Sequence, residues 1–238
     1  NRASTSKSGS ADVIEALGVN LDVEVDQLRS IFDEVGIAFL FANKMHPSMR
    51  FAAPVRRALG FPTAFNVLGP LTNPAKVQAC AIGAAKEENA RLMAGVYASR
   101  GLSALVFRGA TTGLDELTPT DTNQVWIVNG GHVSEIAFDA RDSLGMASAT
   151  IEDLAGGEAV ENAAGAREVL SGGGADAVRD AVALNVGAGI LAWEGLDNPV
   201  SPADFEERMR VAVDRGLAAL ADGVGARLVE RWVAASNA

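Results

Sequence analysis

Val77-Gln78-Ala79-Cys80-Ala81-Ile82-Gly83, then Lys86 to Arg100, then Ala104-Leu105-Val106-Phe107 read in order as strand, helix and strand. Each strand segment is a short apolar run of the kind that lies buried in a sheet. The helical segment carries Leu92, Met93 and Val96 on one face. A helical crossover of this kind makes its two strands parallel neighbours. Residues 108–122 then leave the end of a strand as a loop, and in open α/β sheets ligands lie outside such carboxyl ends. Gln124–Val128 and Val133–Phe138 flank Asn129-Gly130-Gly131-His132, which predicts a β-hairpin. The fold class is therefore α/β: a mixed, largely parallel central sheet flanked by helices.

Towards the N-terminus, Ser10 is placed to cap a short helix over Ala11–Leu17, with Gly18 as its stop. Leu28, Ile31, Phe32 and Val35 recur at helical spacing, so a second helix is expected over 25–35, ended by Gly36. Ile37-Ala38-Phe39-Leu40-Phe41 predicts a buried strand. His46-Pro47-Ser48-Met49-Arg50 and Pro54 to Gly60 predict a helix broken at Pro54. Asn66 to Pro74, with two prolines and a glycine, predicts a rigid loop. Towards the C-terminus, helices are expected over 158–170, 176–193, 202–221 and 226–234, with Ser201-Pro202-Ala203-Asp204 supplying a cap.

The 238 residues are 48% hydrophobic and 21% charged, a globular composition. A net charge of −10 argues against a nucleic-acid partner, which calls for a basic face. It leaves room for an anionic small molecule whose charge a metal ion offsets. The single cysteine, Cys80, excludes an intrachain disulfide and reads as an inert buried thiol. No signal peptide and no bilayer-length apolar run is visible, so no membrane partner and a reducing cytoplasm are expected.

Four places have residues suited to chemistry. Seven of the twelve residues from Asn1 to Asp12 are Ser, Thr, Gly or Asn, and the segment runs into a helix. Such a stretch either wraps an anion with N–H groups and hydroxyls or is a plain polar tail. Asp115-Glu116, just past a strand end, is either a hard-oxygen pair for Mg²⁺ or a solvated acidic turn. Arg56 on a short helix can grip a carboxylate through two parallel hydrogen bonds, or lie idle on the surface. The Asn66–Pro74 segment serves equally as a pocket wall or as a connection. Of the two histidines, His46 lies at a strand exit and is a pocket candidate, whereas His132 in the hairpin turn is expected to be solvated. No nucleophile with an adjacent base is visible, and Trp126, Trp193 and Trp232 suit core or interface positions.

Taken together, Asn1 to Gly18, His46 to Arg50 with Val55-Arg56, Phe65 to Pro74, and Gly113-Leu114-Asp115-Glu116 resemble the anthranilate phosphoribosyltransferases in order and spacing over the whole chain. The resemblance implies an α/β domain of the nucleoside phosphorylase and phosphoribosyltransferase type, with remnants of a small helical domain. On that pattern 1–41 and 75–238 form the phosphoribosyl-pyrophosphate-binding domain, and 42–74 contributes to the helical domain and an anthranilate pocket. It implies transfer of the phosphoribosyl group of phosphoribosyl pyrophosphate to the amine of anthranilate in tryptophan biosynthesis, in a cytoplasmic homodimer. Carried over residue by residue, Asn1, Arg2, Ala3, Ser4, Thr5, Ser6 and Ser10 would line the phosphoribosyl pyrophosphate site. Asn1, Arg56, His46 and Pro70 would line the anthranilate site, and Asp115 and Glu116 would bind Mg²⁺ as cofactor. No dedicated acid or base is assigned.

The family pattern also has an N-terminal helical domain and a Gly-rich pyrophosphate loop ahead of the position of Asn1. The expectation is that this chain is a truncated form, inactive alone. A pyrimidine nucleoside phosphorylase of the same fold and a non-catalytic nucleic-acid-binding homologue are the alternatives. The acid pair disfavours the first and the net charge the second.

Overall fold

The computed structural model describes Arg2, residues 7–51 and residues 65–238. In chain order the helices are α1 (Ser10–Ala16), α2 (Val25–Val35), α3 (Ala42–Met45), α4 (Phe65–Leu71), α5 (Glu87–Ser99), α6 (Ala140–Leu144), α7 (Ala159–Leu170), α8 (Asp176–Glu194), α9 (Phe205–Ala221) and α10 (Val224–Ser236). The strands are β1 (Ala79–Gly83), β2 (Ser103–Gly109), β3 (Asn123–Asn129) and β4 (His132–Phe138). Short 3₁₀ turns lie at Pro47–Phe51 and Glu152–Leu154. The chain divides into two compact units: Asn1–Thr63 with Ala155–Gly174 and Ala219–Ala238, and Ala64–Leu154 with Ala175–Ala218.

The second unit contains the sheet, in the order β1-β2-β3-β4. β1 and β2 are parallel, with Cys80 opposite Ala104 and Gly83 opposite Phe107, as the strand–helix–strand pattern predicts. β3 runs antiparallel to β2, and β4 to β3. The sheet is mixed as expected, but two of its three described pairings are antiparallel rather than most of them parallel. Only one connection carries a helical crossover; the others are the 108–122 loop and a hairpin, which reverse the chain. The hairpin turn is Gly130-Gly131, with φ of +53° and +91° and Asn129 opposite His132. Both positions of this turn need positive φ, which glycine adopts without strain.

Why β2 and β3 are apolar without alternation follows from their two covered faces. Ala104, Val106, Trp126 and Val128 pack with Ala90, Met93, Ala94 and Tyr97 of α5. Leu105, Phe107, Val125 and Ile127 pack with Leu184, Ala188 and Leu191 of α8 and Met209 and Val213 of α9. Phe138 meets Phe205 edge to face, ring centres 5.3 Å apart. That geometry contributes about 0.5–1.5 kcal/mol beyond burial alone. Ser201 and Asp204 form a reciprocal cap before α9: Ser201 N donates to Asp204 Oδ1 (2.7 Å) and Asp204 N to Ser201 Oγ (3.3 Å). The cap is the predicted one, followed by one turn before the regular helix begins.

The expected rigid loop over Asn66–Pro74 is instead helical through Leu71, with Pro70 inside α4. Pro70 stands in the last turn, where its missing N–H costs one backbone bond rather than a helix. Thr72 Oγ1 donates to the Leu68 carbonyl at 2.7 Å and so closes the end.

The first unit is helical. α1 packs on α7, and α10 packs on α2 and α7. Leu28, Ile31 and Val35 of α2 share a core with Ala11, Val19, Leu21, Val23 and Trp232. Gly36 ends α2 in the left-handed region (φ +88°), its N–H donating to Phe32 O at 2.8 Å, as expected. The cap of α1 is Gly9 rather than Ser10, which is the first helical residue. Asp12 explains the shift: its carboxylate accepts from Gly9 N at 2.8 Å, holding the turn one residue earlier. The strand predicted over Ile37–Phe41 is absent. These residues are half-buried against the same core, but no strand among the described residues offers them a ladder, and Phe41 becomes the N-cap of α3. The expected helix piece over Pro54–Gly60 lies outside the described residues.

Candidate functional site

Because β1 and β2 are parallel, their carboxyl ends lie at one edge of the sheet. β1 ends at Gly83, and β2 runs on through Arg108 and Gly109 into the 110–122 loop. This loop is tightly tied. Gly109 N donates to Leu114 O (2.8 Å) and Ala110 N to Thr122 O (2.8 Å). Asp121 Oδ2 accepts from Thr111 N (2.7 Å), Thr112 N (2.8 Å) and Thr112 Oγ1 (3.1 Å), and these bonds lower its pKa against the opposing effect of burial. Asn123 in β3 exchanges two bonds with the Thr118 backbone, both at 3.0 Å. Leu117 is held by Asn185 of α8, which accepts from its N–H (3.2 Å) and donates to its carbonyl (2.9 Å).

Asp115 and Glu116 therefore stand exposed on a fixed backbone, at the carboxyl edge where the strand order predicted them. Neither carboxylate has a salt bridge or hydrogen-bond partner among the described residues. Glu116 borders a cavity of about 490 Å³ with Leu154, Val178, Ala181, Val182, Asn185 and Val186. The protein around it displaces water and raises the pKa of Glu116, and the negative charge of Asp115 adds to that push. Two adjacent oxygen donors with no cationic partner suit a hard cation such as Mg²⁺, which would reverse the push. No cluster of three or more His, Cys, Asp or Glu residues gathers among the described residues. The remaining oxygens of such an ion would come from phosphates or water, the usual arrangement for Mg²⁺.

Pro70 lies in the same unit but lines a different cavity of about 240 Å³, with Leu71, Cys80, Tyr97 and Arg100 among its walls. The two cavities share no lining residue. Cys80 is half-buried, and burial raises its thiol pKa, in keeping with an inert thiol.

In the first unit, Arg2 is engaged from three sides. Its guanidinium pairs with Asp12 (2.7 Å) and with Glu15, and it lies over the Phe41 ring with 5.2 Å to the centroid. Ser10 is exposed at the start of α1. Lys7, Ser8 and Gly9 lead into it. Ser8 Oγ accepts from Asn162 Nδ2 (2.8 Å), and Asn162 Oδ1 takes the Gly157 N–H (2.7 Å). His46 caps the end of α3 and is half-buried, its N–H donating to Ala42 O at 2.9 Å. Asn1, Ala3, Ser4, Thr5, Ser6 and Arg56 lie outside the described residues. His132 is exposed as expected; Trp126 and Trp232 are core residues, and Trp193 is exposed.

Sequence reading missed Asn162, Asp121 and Asn185. Only Asn185 left a signal: an amide in the otherwise apolar run Ala183-Leu184-Asn185-Val186-Gly187-Ala188.

The model of a family described as "Glycosyl transferase family, a/b domain" matches residues 1–223. The anthranilate phosphoribosyltransferase of Arthrobacter sp. (strain FB24) is 50% identical over 234 residues, which are 98% of this chain and 64% of that protein. The chain thus spans just under two thirds of that relative's length. The crystal structure of anthranilate phosphoribosyltransferase from Thermus thermophilus is 39% identical with a TM-score of 0.88, covering 100% of this chain and 67% of its own. The Saccharomyces cerevisiae enzyme in complex with phosphoribosyl pyrophosphate and Mg is 25% identical with a TM-score of 0.84, covering 99% and 63%.

Proposed function

The chain belongs to the anthranilate phosphoribosyltransferase family, and from that premise we propose that it serves transfer of the phosphoribosyl group from phosphoribosyl pyrophosphate to anthranilate, a step of tryptophan biosynthesis. The observation that carries this reading is the Asp115-Glu116 pair, unpaired among the described residues on a rigid loop at the carboxyl edge of parallel strands. A relative bound to phosphoribosyl pyrophosphate and Mg supports the ligand chemistry.

In this reading Asp115 and Glu116 hold Mg²⁺. The bound ion supplies positive charge to the oxygens of the departing pyrophosphate. Asn1, Ala3, Ser4, Thr5, Ser6 and Ser10 bind the phosphoribosyl pyrophosphate. With them Arg2, paired with Asp12 and Glu15 of α1, lines that site. Asn1, Arg56, His46 and Pro70 take anthranilate, with Arg56 on its carboxylate and residues 42–74 as part of a small helical domain.

The amine nitrogen's lone pair forms the new bond to C1 of the ribose. The C1–oxygen bond breaks, and its electrons leave with pyrophosphate. Positive charge develops on the ring, as in glycoside hydrolysis. The nitrogen then releases a proton to solvent. A neutral arylamine is nucleophilic without a base, so these residues act by position and charge. The same proposal includes a cytoplasmic homodimer; no helix among the described residues is long and apolar enough to cross a membrane.

The test is formation of N-(5-phosphoribosyl)anthranilate by the complete encoded protein, followed by mass spectrometry with and without Mg²⁺. Metal-dependent product is expected. Phosphorolysis of a pyrimidine nucleoside in its place, or no product under either condition, overturns the reading.

A further inference from the structure

Resting on the acid-pair reading above, we propose that Asn185 is a positioning residue for the reaction, fixing the Asp115-Glu116 backbone to helix α8. Its amide makes three hydrogen bonds: Oδ1 accepts from Leu117 N (3.2 Å), and Nδ2 donates to Leu117 O (2.9 Å) and to Ala181 O (2.8 Å). One side chain thus satisfies both polar groups of the residue next to Glu116. The bond to Ala181 fixes the sense of the amide, since a flipped group would set its oxygen against two carbonyls.

The rest of the loop shows why this contact matters. Leu117 is fully buried in the same core as Leu184, the residue before Asn185. On the other side of the acids, Leu114 O receives Gly109 N at 2.8 Å, and the Asp115 carbonyl seats against Gly83. Among the described residues, only Asn185 reaches residues 113–117 with a side-chain hydrogen bond from outside the loop. The two carboxylates therefore take their height above the sheet edge from the strand ends and their lateral position from α8. Asn185 also lines the cavity that Glu116 borders, so the brace and the open side of the acid pair face one space. A carboxylate whose backbone drifts loses the geometry a small hard cation requires.

Mn²⁺ binding in the presence of inorganic pyrophosphate, read by electron paramagnetic resonance on the complete encoded protein, tests this. Asn185→Leu removes the bonds at nearly constant volume and is expected to weaken Mn²⁺ roughly tenfold or more, as loss of a supporting contact does at metal sites. Asn185→Gln, which keeps an amide, should recover part of the loss. A folded Asn185→Leu variant with the parent affinity overturns the proposal. If Asp115→Asn with Glu116→Gln also leaves the affinity unchanged, the acid-pair reading itself has failed. Should Asn185→Leu not fold, hydrogen exchange on the unaltered protein decides. The Leu117 amide is expected to exchange as slowly as the interior amides of α8, and exchange at the rate of a free loop overturns the proposal.

Discussion

The backbone carbonyl of Asp115 occupies the place that a Cβ on Gly83 would take. The last residue of β1 thus acts as a seat for the acid loop, and only a residue without a side chain leaves room.

Gly83→Ala should accordingly force the loop away from the strand end and destabilise the protein by about 1–3 kcal/mol, the usual cost of overpacking. Mn²⁺ affinity should fall with it. Gly95→Ala is the contrast, since an added Cβ on this exposed position of α5 meets nothing within 4 Å. There the gain should be about 0.5–1 kcal/mol, because alanine loses less freedom in a helix. Urea unfolding of the two variants should give opposite signs.

Asp115→Asn combined with Glu116→Gln should abolish Mg²⁺ stimulation of product formation while leaving the unfolding midpoint close to that of the parent, as neither carboxylate holds a structural bond among the described residues. A metal response that survives both changes would reduce the pair to an acidic turn.

Arg56→Ala should raise the KM for anthranilate. Loss of a charge-assisted pair is worth about 1.5–3 kcal/mol, or roughly ten- to hundredfold. Steady-state kinetics with phosphoribosyl pyrophosphate saturating provides the measurement, and an unchanged KM removes Arg56 from the pocket.

Asp139 caps α6 and gives a pH signature. The Arg141 guanidinium (Nε to Oδ1, 2.8 Å) holds its carboxyl well below the usual carboxylate range, helped by the Arg141 N–H (3.0 Å) and Thr122 Oγ1 (3.1 Å). A lowered folded pKa means stabilisation that is complete above the unfolded value of about 4 and declines as pH falls further. Asp139→Asn keeps the cap oxygen but not the charge. It should therefore be less stable than the parent at pH 7, with the gap narrowing as pH falls below about 4. Asp139→Ala should lose the cap as well, about 0.5–2 kcal/mol. Urea titrations at stepped pH follow both.

Much of the sheet was legible because burial on both faces leaves a direct mark. β2 and β3 are apolar without alternation, and Asn129-Gly130-Gly131-His132 can close only a tight turn. α2 was legible from the spacing of Leu28, Ile31 and Val35. The strand expected over Ile37–Phe41 failed because an apolar run records burial, and burial does not supply a ladder partner. The loop expected over Asn66–Pro74 failed because Pro70 falls in a last turn, where its missing N–H forfeits a single bond and Thr72 Oγ1 closes the end on the Leu68 carbonyl. At the candidate site, Asp115 and Glu116 were visible through their place after a strand. Their supports were not: Asn185 and Gly83 lie far away in sequence, and no local spacing encodes a contact made only after folding. Arg2 was legible as a cation but not as one already engaged by Asp12, Glu15 and Phe41.

Trp232 of α10 shares its core with Ala11 of α1 and with Leu28 and Ile31 of α2. During synthesis on a ribosome, those early helices emerge about two hundred residues before their partner. Until it arrives, α2 lacks the helix it packs on, whereas the two faces of the sheet already have α5 on one side and α8 and α9 on the other. A stop codon just ahead of α10 would thus leave the nascent sheet with both of its helical layers, and α1 with α7, while stranding α2 alone.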